Sequence, residues 1–375
     1  MSIAIINRDF GDHAGAIGLG LNRFAIDQAL ASSVSVITSS SSRDVLALGE
    51  KDNVKLFLAK SLTSSGSSIA MRLSEVVYFS FFVVVSLMKS RPKLVYVTSN
   101  PPVIIPFFVC IFCYLTKAKY IYHVQDIHPE VSALVFKIPK FLLYFIKSID
   151  TFALKHSALV ITLSKDMKAT LLAREKNIKI KLLQNPAIIN NSNMSVPKKN
   201  GAIFCGNAGR LQNVDFLLEA IEIFLKEDNS DFVFGFVGNG VFASQLVLMA
   251  EKYSRFKYYG YVSAEEALAI SAGYKWALLP IRGEVLQYAY PSKIPTYISA
   301  GCQIISITSG DTELAREIHS NDLGFNVEAN VGDIVAAFES LPAYGAGFSG
   351  FEGYAFLKTD EFGNTLSNIA KSIGR

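Results

Sequence analysis

The stretch Ala202-Ile-Phe-Cys-Gly-Asn-Ala-Gly-Arg-Leu-Gln-Asn213 decides how this chain is organised. An apolar run ends at Cys205, glycines follow at 206 and 209, and a helical pattern begins near Val214. A strand, a glycine-rich turn and a helix in this order are typical of the first unit of a doubly wound parallel sheet. The residues just upstream, 190–201, are polar and show no periodicity, which predicts a linker. A second domain is therefore expected to begin at residue 202.

On both sides of this linker, short β-branched runs alternate with helical stretches. Nearly all of the runs are apolar on both faces, as parallel strands between two helix layers must be. Before the linker they are Ile3–Ile6, Val34–Ile37, Val54–Leu58, Leu94–Val97, Tyr120–Val124, Leu159–Thr162 and Ile178–Leu183. After it they are Ala202–Cys205, Phe232–Val237, Phe256–Tyr259, Trp276–Pro280, Gln303–Ser306 and Gly324–Val327.

This alternation predicts an α/β protein with two Rossmann-like domains that face a central cleft. We expect a first domain over 1–189, the linker over 190–201 and a second domain over 202–358. A helical pattern over 359–375 is expected to pack back on the first domain. Open α/β sheets bind ligands at the carboxyl ends of their strands, so the glycine-rich turns there are the first places to search for a site.

The composition is apolar for a chain of 375 residues, with 50% hydrophobic and only 18% charged residues. The mean hydropathy of +0.31 suggests either membrane spans or a protein that rests apolar surface on a bilayer. The longest apolar runs, Val76–Met88 and Val103–Thr116, are shorter than the roughly 20 residues of a spanning helix. We therefore expect no transmembrane segment and, from the strand-like start, no signal peptide.

Charge and cysteine content exclude other classes. A net charge of +4 is too small to indicate a nucleic-acid partner. Of the four cysteines, Cys110 and Cys113 form a C-x-x-C pair, but there is no second pair at zinc-site spacing. Buried thiols are expected instead of a metal or redox site, and reduced thiols indicate the cytosol.

Three turns in the second domain carry candidate anion ligands. Gly206 to Arg210 is the expected seat of a diphosphate, with Arg210 as a charged contact, although a surface arginine has the same pattern. The turn Gly238-Asn-Gly240 is either a plain turn or a place where a base or ribose approaches the backbone. In Tyr290-Pro-Ser-Lys293, the lysine is expected in the first turn of a helix, where a cation is disfavoured unless an anion binds there. Lys293 is therefore a candidate phosphate ligand.

Two stretches in the first domain are further candidates. The glycine-rich turn Phe10–Gly20 follows the first strand and allows close approach of a phosphate or sugar, or is only a tight turn. After the fifth strand, Asp126, His128 and Glu130 are candidate sugar-hydroxyl or acid–base groups. Polar residues that cap the next helix would give the same pattern.

These motifs, in this order, resemble the retaining GT-B glycosyltransferases of family 4. They are similar in particular to bacterial surface-polysaccharide transferases of the N-acetylfucosamine-transferase type. The resemblance rests on Val97-Thr-Ser-Asn-Pro-Pro102, Val124–Glu130, Gln184-Asn-Pro186, Gly206–Arg210, Gly238–Gly240, Pro291–Lys293 and Ser299–Gly301. The family's pair of glutamates is absent, because Tyr288 and Thr296 stand at their positions, and Gln125 replaces its histidine.

The resemblance implies a nucleotide-sugar donor, with UDP as the expected nucleotide, held mainly by the second domain, and an acceptor held by the first. It implies no cofactor and no metal, because cationic side chains and a helix start replace a divalent ion. The implied catalytic residues are Asp126, Arg210 and Lys293, and the implied acceptor-binding residues are His128 and Glu130. The implied donor-binding residues are Gly15, Ala16, Gly206, Asn207, Gly209, Arg210, Asn239, Gly240, Pro291, Ser292, Lys293 and Thr296.

The segment Lys137–Lys155 combines four lysines with an aromatic and aliphatic face, a composition typical of a helix that lies in an anionic membrane interface. A basic cluster, Met88–Lys93, follows the first apolar run. Core helices with lysines at their edges are the alternative. If the helices dock, a polyprenyl-diphosphate-linked sugar or another glycan is the expected acceptor, and the protein is expected at the inner face of the cytoplasmic membrane.

Three other functions fit parts of the pattern. A GT-B-shaped nucleotide-sugar epimerase would cleave the same donors without an acceptor. A non-catalytic scaffold subunit of a polysaccharide assembly complex would explain the missing glutamates. A Rossmann oxidoreductase is disfavoured, because no clean G-x-G-x-x-G fingerprint is present.

Overall fold

The computed structural model describes residues 2–11, 15–63, 68–188, 197–228, 230–341 and 358–374. The chain divides into two compact units. The first contains the described residues of 1–186, 287–290 and 357–375, and the second those of 187–286 and 291–356.

The first unit is built on a seven-stranded parallel sheet in the order β3-β2-β1-β4-β5-β6-β7. Its strands are β1 (Ser2–Ile6), β2 (Ser33–Thr38), β3 (Val54–Leu58), β4 (Leu94–Thr98), β5 (Lys119–His123), β6 (Leu159–Thr162) and β7 (Ile180–Leu182). The strand order reverses between β1 and β4, and the loops that leave two such strands diverge at their carboxyl ends. Residues that follow these strands are therefore placed where an open α/β sheet binds ligands.

The helices of the first unit cover both faces of this sheet. They are α1 (Gly15–Ala29), α2 (Arg43–Gly49), α3 (Ile69–Ser90), α4 (Ile104–Thr116), α5 (Glu130–Ala133), α6 (Lys140–His156), α7 (Lys165–Arg174) and, from the end of the chain, α14 (Thr359–Gly374). Successive strand residues point to opposite faces, so the two faces have separate cores. Val95 and Val97 of β4 pack with α3 and α4, whereas Leu94 and Tyr96 pack with α1 and α14.

Helix α14 is an integral part of the first unit. It packs against α1, where Gly20 leaves room for the buried ring of Phe362. A Cβ atom on Gly20 would lie 2.6 Å from the Cδ1 atom of that ring. Phe362, Leu366 and Ile369 are buried in the same core as Phe24 of α1.

The second unit has a six-stranded parallel sheet in the order β10-β9-β8-β11-β12-β13. Its strands are β8 (Lys199–Cys205), β9 (Val233–Val237), β10 (Phe256–Gly260), β11 (Tyr274–Pro280), β12 (Gln303–Ile307) and β13 (Gly324–Val327). Its helices are α8 (Val214–Glu227), α9 (Ala243–Lys252), α10 (Ala264–Ala272), α11 (Ile294–Ser299), α12 (Glu313–Ser320) and α13 (Val331–Ser340). Phenylalanines on β8, β9 and α8 form the centre of the core.

The predicted α/β fold with two doubly wound sheets is confirmed, but two boundaries differ. The last residues of the predicted linker, Lys199–Gly201, begin strand β8 because they pair with the neighbouring strands. Residues 190–196 of that linker lie outside the described part of the chain. Gln287–Tyr290, predicted in the second domain, belong to the first unit, because Tyr288 accepts a backbone hydrogen bond from Ile127.

The first apolar run belongs to a longer helix. The apolar run Val76–Met88 is part of α3, which has 22 residues and, by length and composition alone, is long enough to cross a membrane. No other helix in the described ranges passes this test. Glu75, just before the apolar run, is buried in this helix, and its carboxylate lies 3.0 Å from the guanidinium of Arg8.

Candidate functional site

The glycine-rich turn after β8 packs directly on the turn after β9. The backbone N–H of Ala208 donates to the carbonyl oxygen of Asn239 at 2.7 Å, and the N–H of Val241 donates back to Ala208 at 3.1 Å. A Cβ atom on Gly238 would lie 2.0 Å from the carbonyl oxygen of Gly206, and one on Gly240 would lie 2.4 Å from that of Ala208. Gly206, Gly238 and Gly240 also have positive φ values. Both turns therefore require glycine, and the predicted donor-binding residues 206–209 and 239–240 form one surface.

Lys293 lies against this surface. Its Nζ atom is 4.1 Å from the centre of the Phe204 ring, and a Cβ atom on Gly206 would lie 2.3 Å from its Cε atom. The Gln212 amide satisfies both of its neighbours when its oxygen accepts from Lys293 Nζ at 3.0 Å and its nitrogen donates to the Asn207 carbonyl at 2.9 Å. The lysine is thus held by a ring face and an amide.

The charge of Lys293 has no acidic partner within the described ranges. The eleven ion pairs found there do not include it. Burial lowers the pKa of its ammonium group to about 8. A cation that is partly desolvated and unpaired would gain free energy from an anion beside it. The arrangement is that of an anion-binding group.

Tyr297 fixes the lysine in place. Its buried hydroxyl accepts a hydrogen bond from the Cys205 N–H at 2.9 Å and donates one to the Leu278 carbonyl at 3.1 Å. These bonds join α11 to the carboxyl end of β8. Helix α11 begins at Ile294, and Lys293 immediately precedes it. The predicted position of Lys293 inside the first helical turn was therefore wrong by one residue.

Arg210 faces an open pocket of about 390 Å³ next to this surface. The guanidinium is exposed and forms no ion pair within the described ranges. Gln212 lines the same pocket, so one side chain joins the pocket to the lysine. Arg282 is also at the pocket, but its guanidinium binds the Glu284 carboxylate. The remaining lining residues are Asn213, Asp215, Phe216, Gly283, Ser309 and Ala329.

In the first unit, the Asp126 loop (residues Gln125–Pro129) follows β5. The Ser99 hydroxyl accepts hydrogen bonds from the backbone N–H groups of Gln125 and Asp126 at 3.0 and 3.3 Å. The N–H of Ile127 donates to the Tyr288 carbonyl at 2.7 Å. Asp126 is exposed to solvent, yet the protein around it displaces enough water to raise the pKa of its carboxyl group to about 6. It is therefore an accessible group that titrates near neutral pH.

His128 and Glu130 have partners of their own. The Nδ1 atom of His128 lies 2.9 Å from the Ser132 hydroxyl, and burial together with the charge of Arg174 lowers the pKa of its imidazole to about 4, so the ring is neutral. The Glu130 carboxylate pairs with Arg174 and, at 3.1 Å, with Lys147. Glu130 supports the loop through these pairs, and the acceptor-binding role of both residues stays a prediction.

The other predicted residues are partly placed. Gly15 begins α1 with a φ of +61° and Ala16 follows it, whereas the turn before them, 12–14, lies outside the described residues. Pro291 and Ser292 directly precede Lys293, and Thr296 lies within α11. The sequence did not single out Phe204 or Tyr297, and their only signal was their position beside the two motifs. Cys110 and Cys113 are buried free thiols on α4, as the sequence predicted.

The fold places the chain in a known structural class. HepE of Anabaena, solved in complex with UDP and glucose, superimposes with a TM-score of 0.65 at 13% identity, covering 99% of this chain and 100% of that structure. Sucrose-phosphate synthase of Thermosynechococcus elongatus gives 0.68 at 11% identity, covering 100% and 99%. A Listeria monocytogenes protein assigned as a UDP-N-acetylglucosamine 2-epimerase gives 0.64 at 11% identity, covering 99% and 95%. The chain has the GT-B fold of two Rossmann-like domains.

The second unit is similar to a particular family. Residues 199–342 match the model of the family described as glycosyl transferases group 1. A curated relative, the "Probable glycosyltransferase WbjE" of Pseudomonas aeruginosa, is 22% identical over 269 residues. That match covers 67% of this chain and 66% of the relative's length. The matched family region contains Gly206, Arg210 and Lys293.

Proposed function

We propose that this protein is a retaining glycosyltransferase that moves a hexosyl or N-acetylhexosaminyl group from a nucleotide-sugar, with UDP as the nucleotide, to a lipid-linked or glycan acceptor. The observation that carries the proposal is the ammonium of Lys293, which has no acidic partner in the described ranges. It lies on the surface formed by residues 206–209 and 239–240, inside the region that matches the family model. A glycosyltransferase must stabilise a departing nucleoside diphosphate, and a preorganised cation at a desolvated site does this effectively. The UDP in the HepE structure supports the choice of nucleotide.

In this mechanism, an acceptor hydroxyl attacks the anomeric carbon on the face from which the diphosphate departs. The bond from that carbon to the diphosphate oxygen breaks, and the hydroxyl proton passes to the departing phosphate oxygen. Lys293 and Arg210 bind the diphosphate as its negative charge grows. The glycine turns carry no side chain at these positions, so the nucleotide can approach their backbone closely. Asp126 helps to shape the sugar site. No metal ion is assigned, since the two cations neutralise the leaving group.

The first experiment is a thermal-stability screen of the purified protein with UDP, GDP and dTDP. UDP at 100 times its dissociation constant is expected to stabilise the protein by about 2.7 kcal/mol, and the other two nucleotides less. If none of the three nucleotides raises the melting temperature, the protein is not a nucleotide-sugar enzyme, and the scaffold function is the better assignment.

Product analysis then distinguishes transfer from epimerisation. The similarity to the Listeria epimerase makes this comparison necessary. Release of UDP from a UDP-sugar that depends on an added glycan acceptor supports transfer. Conversion of the donor without an acceptor would establish an epimerase.

We propose further that the first unit rests on the inner face of the cytoplasmic membrane. Helices α3, α4 and α6 pack side by side, and each has an exposed apolar stripe. The residues of this surface, the three-stripe face, are Leu73, Val77, Phe81 and Met88 of α3, Ile104, Phe108, Ile111 and Leu115 of α4, and Phe141, Tyr144, Phe145 and Phe152 of α6. Their spacing follows the helical period, so each stripe is continuous.

Charge favours an anionic bilayer as the partner of this face. Lys137, Lys140 and Lys155 lie on or beside α6, and Lys89 and Lys93 follow the stripe of α3. Aromatic side chains flanked by lysines are suited to the boundary between headgroups and acyl chains. A membrane-docked transferase would meet a polyprenyl-diphosphate-linked acceptor where that lipid resides. Such an acceptor would give the protein a role in surface-polysaccharide synthesis, such as lipopolysaccharide O-antigen or capsule. The name of the Pseudomonas relative agrees with glycosyl transfer.

A further inference from the structure

A buried ion cluster lies beneath the Asp126 loop. At the end of α7, the Arg174 side chain is only 2% exposed, and its NH1 atom lies 2.7 Å from the Asp150 carboxylate of α6. Its NH2 atom binds the Glu130 carboxylate and donates to the His128 carbonyl oxygen at 3.0 Å. One guanidinium therefore binds two carboxylates and the backbone of the loop.

The cluster is anchored on the side away from the loop. Asp150, also 2% exposed, accepts a hydrogen bond from the buried hydroxyl of Tyr122 at 2.8 Å. Tyr122 belongs to β5, the strand that leads into the loop. The connection thus runs from the strand, through Asp150 and Arg174, to the backbone at residue 128.

The chemistry of these groups requires an arginine. The planar guanidinium presents several N–H donors in a fixed fork, whereas a lysine ammonium is a compact point charge. A buried carboxylate pair without its cation would be costly, so the three side chains keep one geometry. Such a cluster fixes the loop more strictly than the backbone hydrogen bonds to Ser99 and Tyr288 alone.

We propose that Arg174 is a positioning residue: it holds the Asp126 loop, through the His128 carbonyl and Glu130, in the geometry that receives the acceptor. Arg174 contacts no reacting group itself. The proposal rests on the proposed transferase function for its catalytic consequence only, since the loop geometry can be measured without catalysis.

The test compares Arg174→Lys with a matched control, Arg255→Lys. Arg255 makes a similar set of contacts in the second unit, with the Asp228 carboxylate at 3.0 Å and the carbonyl oxygens of Ser230 and Leu225 at 3.0 and 3.1 Å. Hydrogen exchange of the full chain is followed in peptides that cover 124–132. The amides of Ile127 and Val131, which are hydrogen-bonded in the structure, report on the loop.

In Arg174→Lys, exchange at these amides is expected to rise about tenfold or more, while peptides of β1 and β4 keep their protection. The specificity constant kcat/KM for the acceptor is expected to fall about 100-fold, because a small displacement of a site group has that cost. The dissociation constant of UDP should stay within about twofold. Glu130→Gln, which removes the ion pairs of Glu130 with Arg174 and Lys147 but keeps the contact of Arg174 with Asp150, is expected to give a smaller change in the same direction.

Loop exchange as slow as in the wild type in a folded Arg174→Lys protein would overturn the proposal. An equal rise in exchange throughout the first unit would also overturn it, because Arg174 would then act on stability alone. If Arg174→Lys does not fold, the Glu130→Gln exchange pattern decides by the same criteria. If loop exchange rises selectively but the wild type transfers no sugar, the positioning role stands and the transferase function fails.

Discussion

The strongest prediction concerns the coupling of UDP binding to the protonation of Lys293. A pKa near 8 means that the ammonium is mostly charged at pH 7 but largely neutral at pH 9. A bound diphosphate stabilises the charged form and raises this pKa, so UDP binding takes up a proton above pH 8. The dissociation constant of UDP is therefore expected to be about tenfold weaker at pH 9 than at pH 7, because only about one lysine in ten keeps its proton there.

Isothermal titration calorimetry at several pH values measures this dependence, with Lys293→Met as the decisive variant. The variant should bind UDP about 10- to 100-fold more weakly at pH 7, the magnitude of a lost charged hydrogen bond. The dissociation constant of UDP for this variant should not change with pH, apart from the effect of the titration of UDP itself. The variant therefore measures that effect separately. Lys257→Met removes an exposed lysine of the same unit and should keep the wild-type dependence. A wild-type affinity that does not change between these pH values, or an equal slope in Lys293→Met, would refute the reasoning.

Four further outcomes are expected. Arg210→Ala should lower kcat/KM in a transfer assay, by a factor that corresponds to a loss of about 2–4 kcal/mol of transition-state stabilisation. Gly206→Ala should abolish stabilisation by UDP in thermal melts, because the new Cβ atom would lie 2.3 Å from Lys293 Cε. In wild-type pH profiles, kcat/KM should fall as the pH drops through about 6, where Asp126 gains a proton, and Asp126→Asn should lack this acidic limb. Phe145→Ser should weaken binding to anionic vesicles about tenfold or more in sedimentation assays, because an inserted Phe contributes roughly 1.5–3 kcal/mol.

Two control variants accompany these measurements. Gly209→Ala should fold normally, because the nearest neighbour of its Cβ atom would be 3.8 Å away. Equal stabilisation by UDP in the thermal melts of Gly206→Ala and Gly209→Ala would contradict the steric argument. Leu248→Ser removes an exposed apolar side chain from the second unit and should leave vesicle binding unchanged. Equal losses in Phe145→Ser and Leu248→Ser would argue against a specific membrane face.

The strands of both sheets were predictable from the sequence because parallel strands buried on two faces are continuously apolar. Leu159–Thr162 and Val54–Leu58 have the predicted bounds, since nothing else in their neighbourhoods has that pattern. The glycine turns were predictable for a similar reason, because they follow strands directly. Their need for glycine, however, comes from the contact between two turns about 30 residues apart, which no local pattern contains.

The parts that could not be predicted depend on partners distant in the chain. Arg174 has the pattern of an ordinary basic residue in the last turn of a helix, yet it is neutralised by residues 130 and 150. The approach of Gln212 to Lys293 joins positions 81 residues apart. Glu75 of α3 is likewise buried, and its carboxylate pairs with Arg8, 67 residues away in the chain.

The return of α14 to the first unit has a consequence for biosynthesis. Phe362 and Leu366 complete a core whose other members include Phe24, more than 300 residues earlier in the chain. All seven strands of the first unit precede residue 183, yet the apolar groove that α14 fills stays open until residues 359–374 have been made. A released chain truncated before residue 359 should therefore keep the second unit protected from protease and leave the first one sensitive.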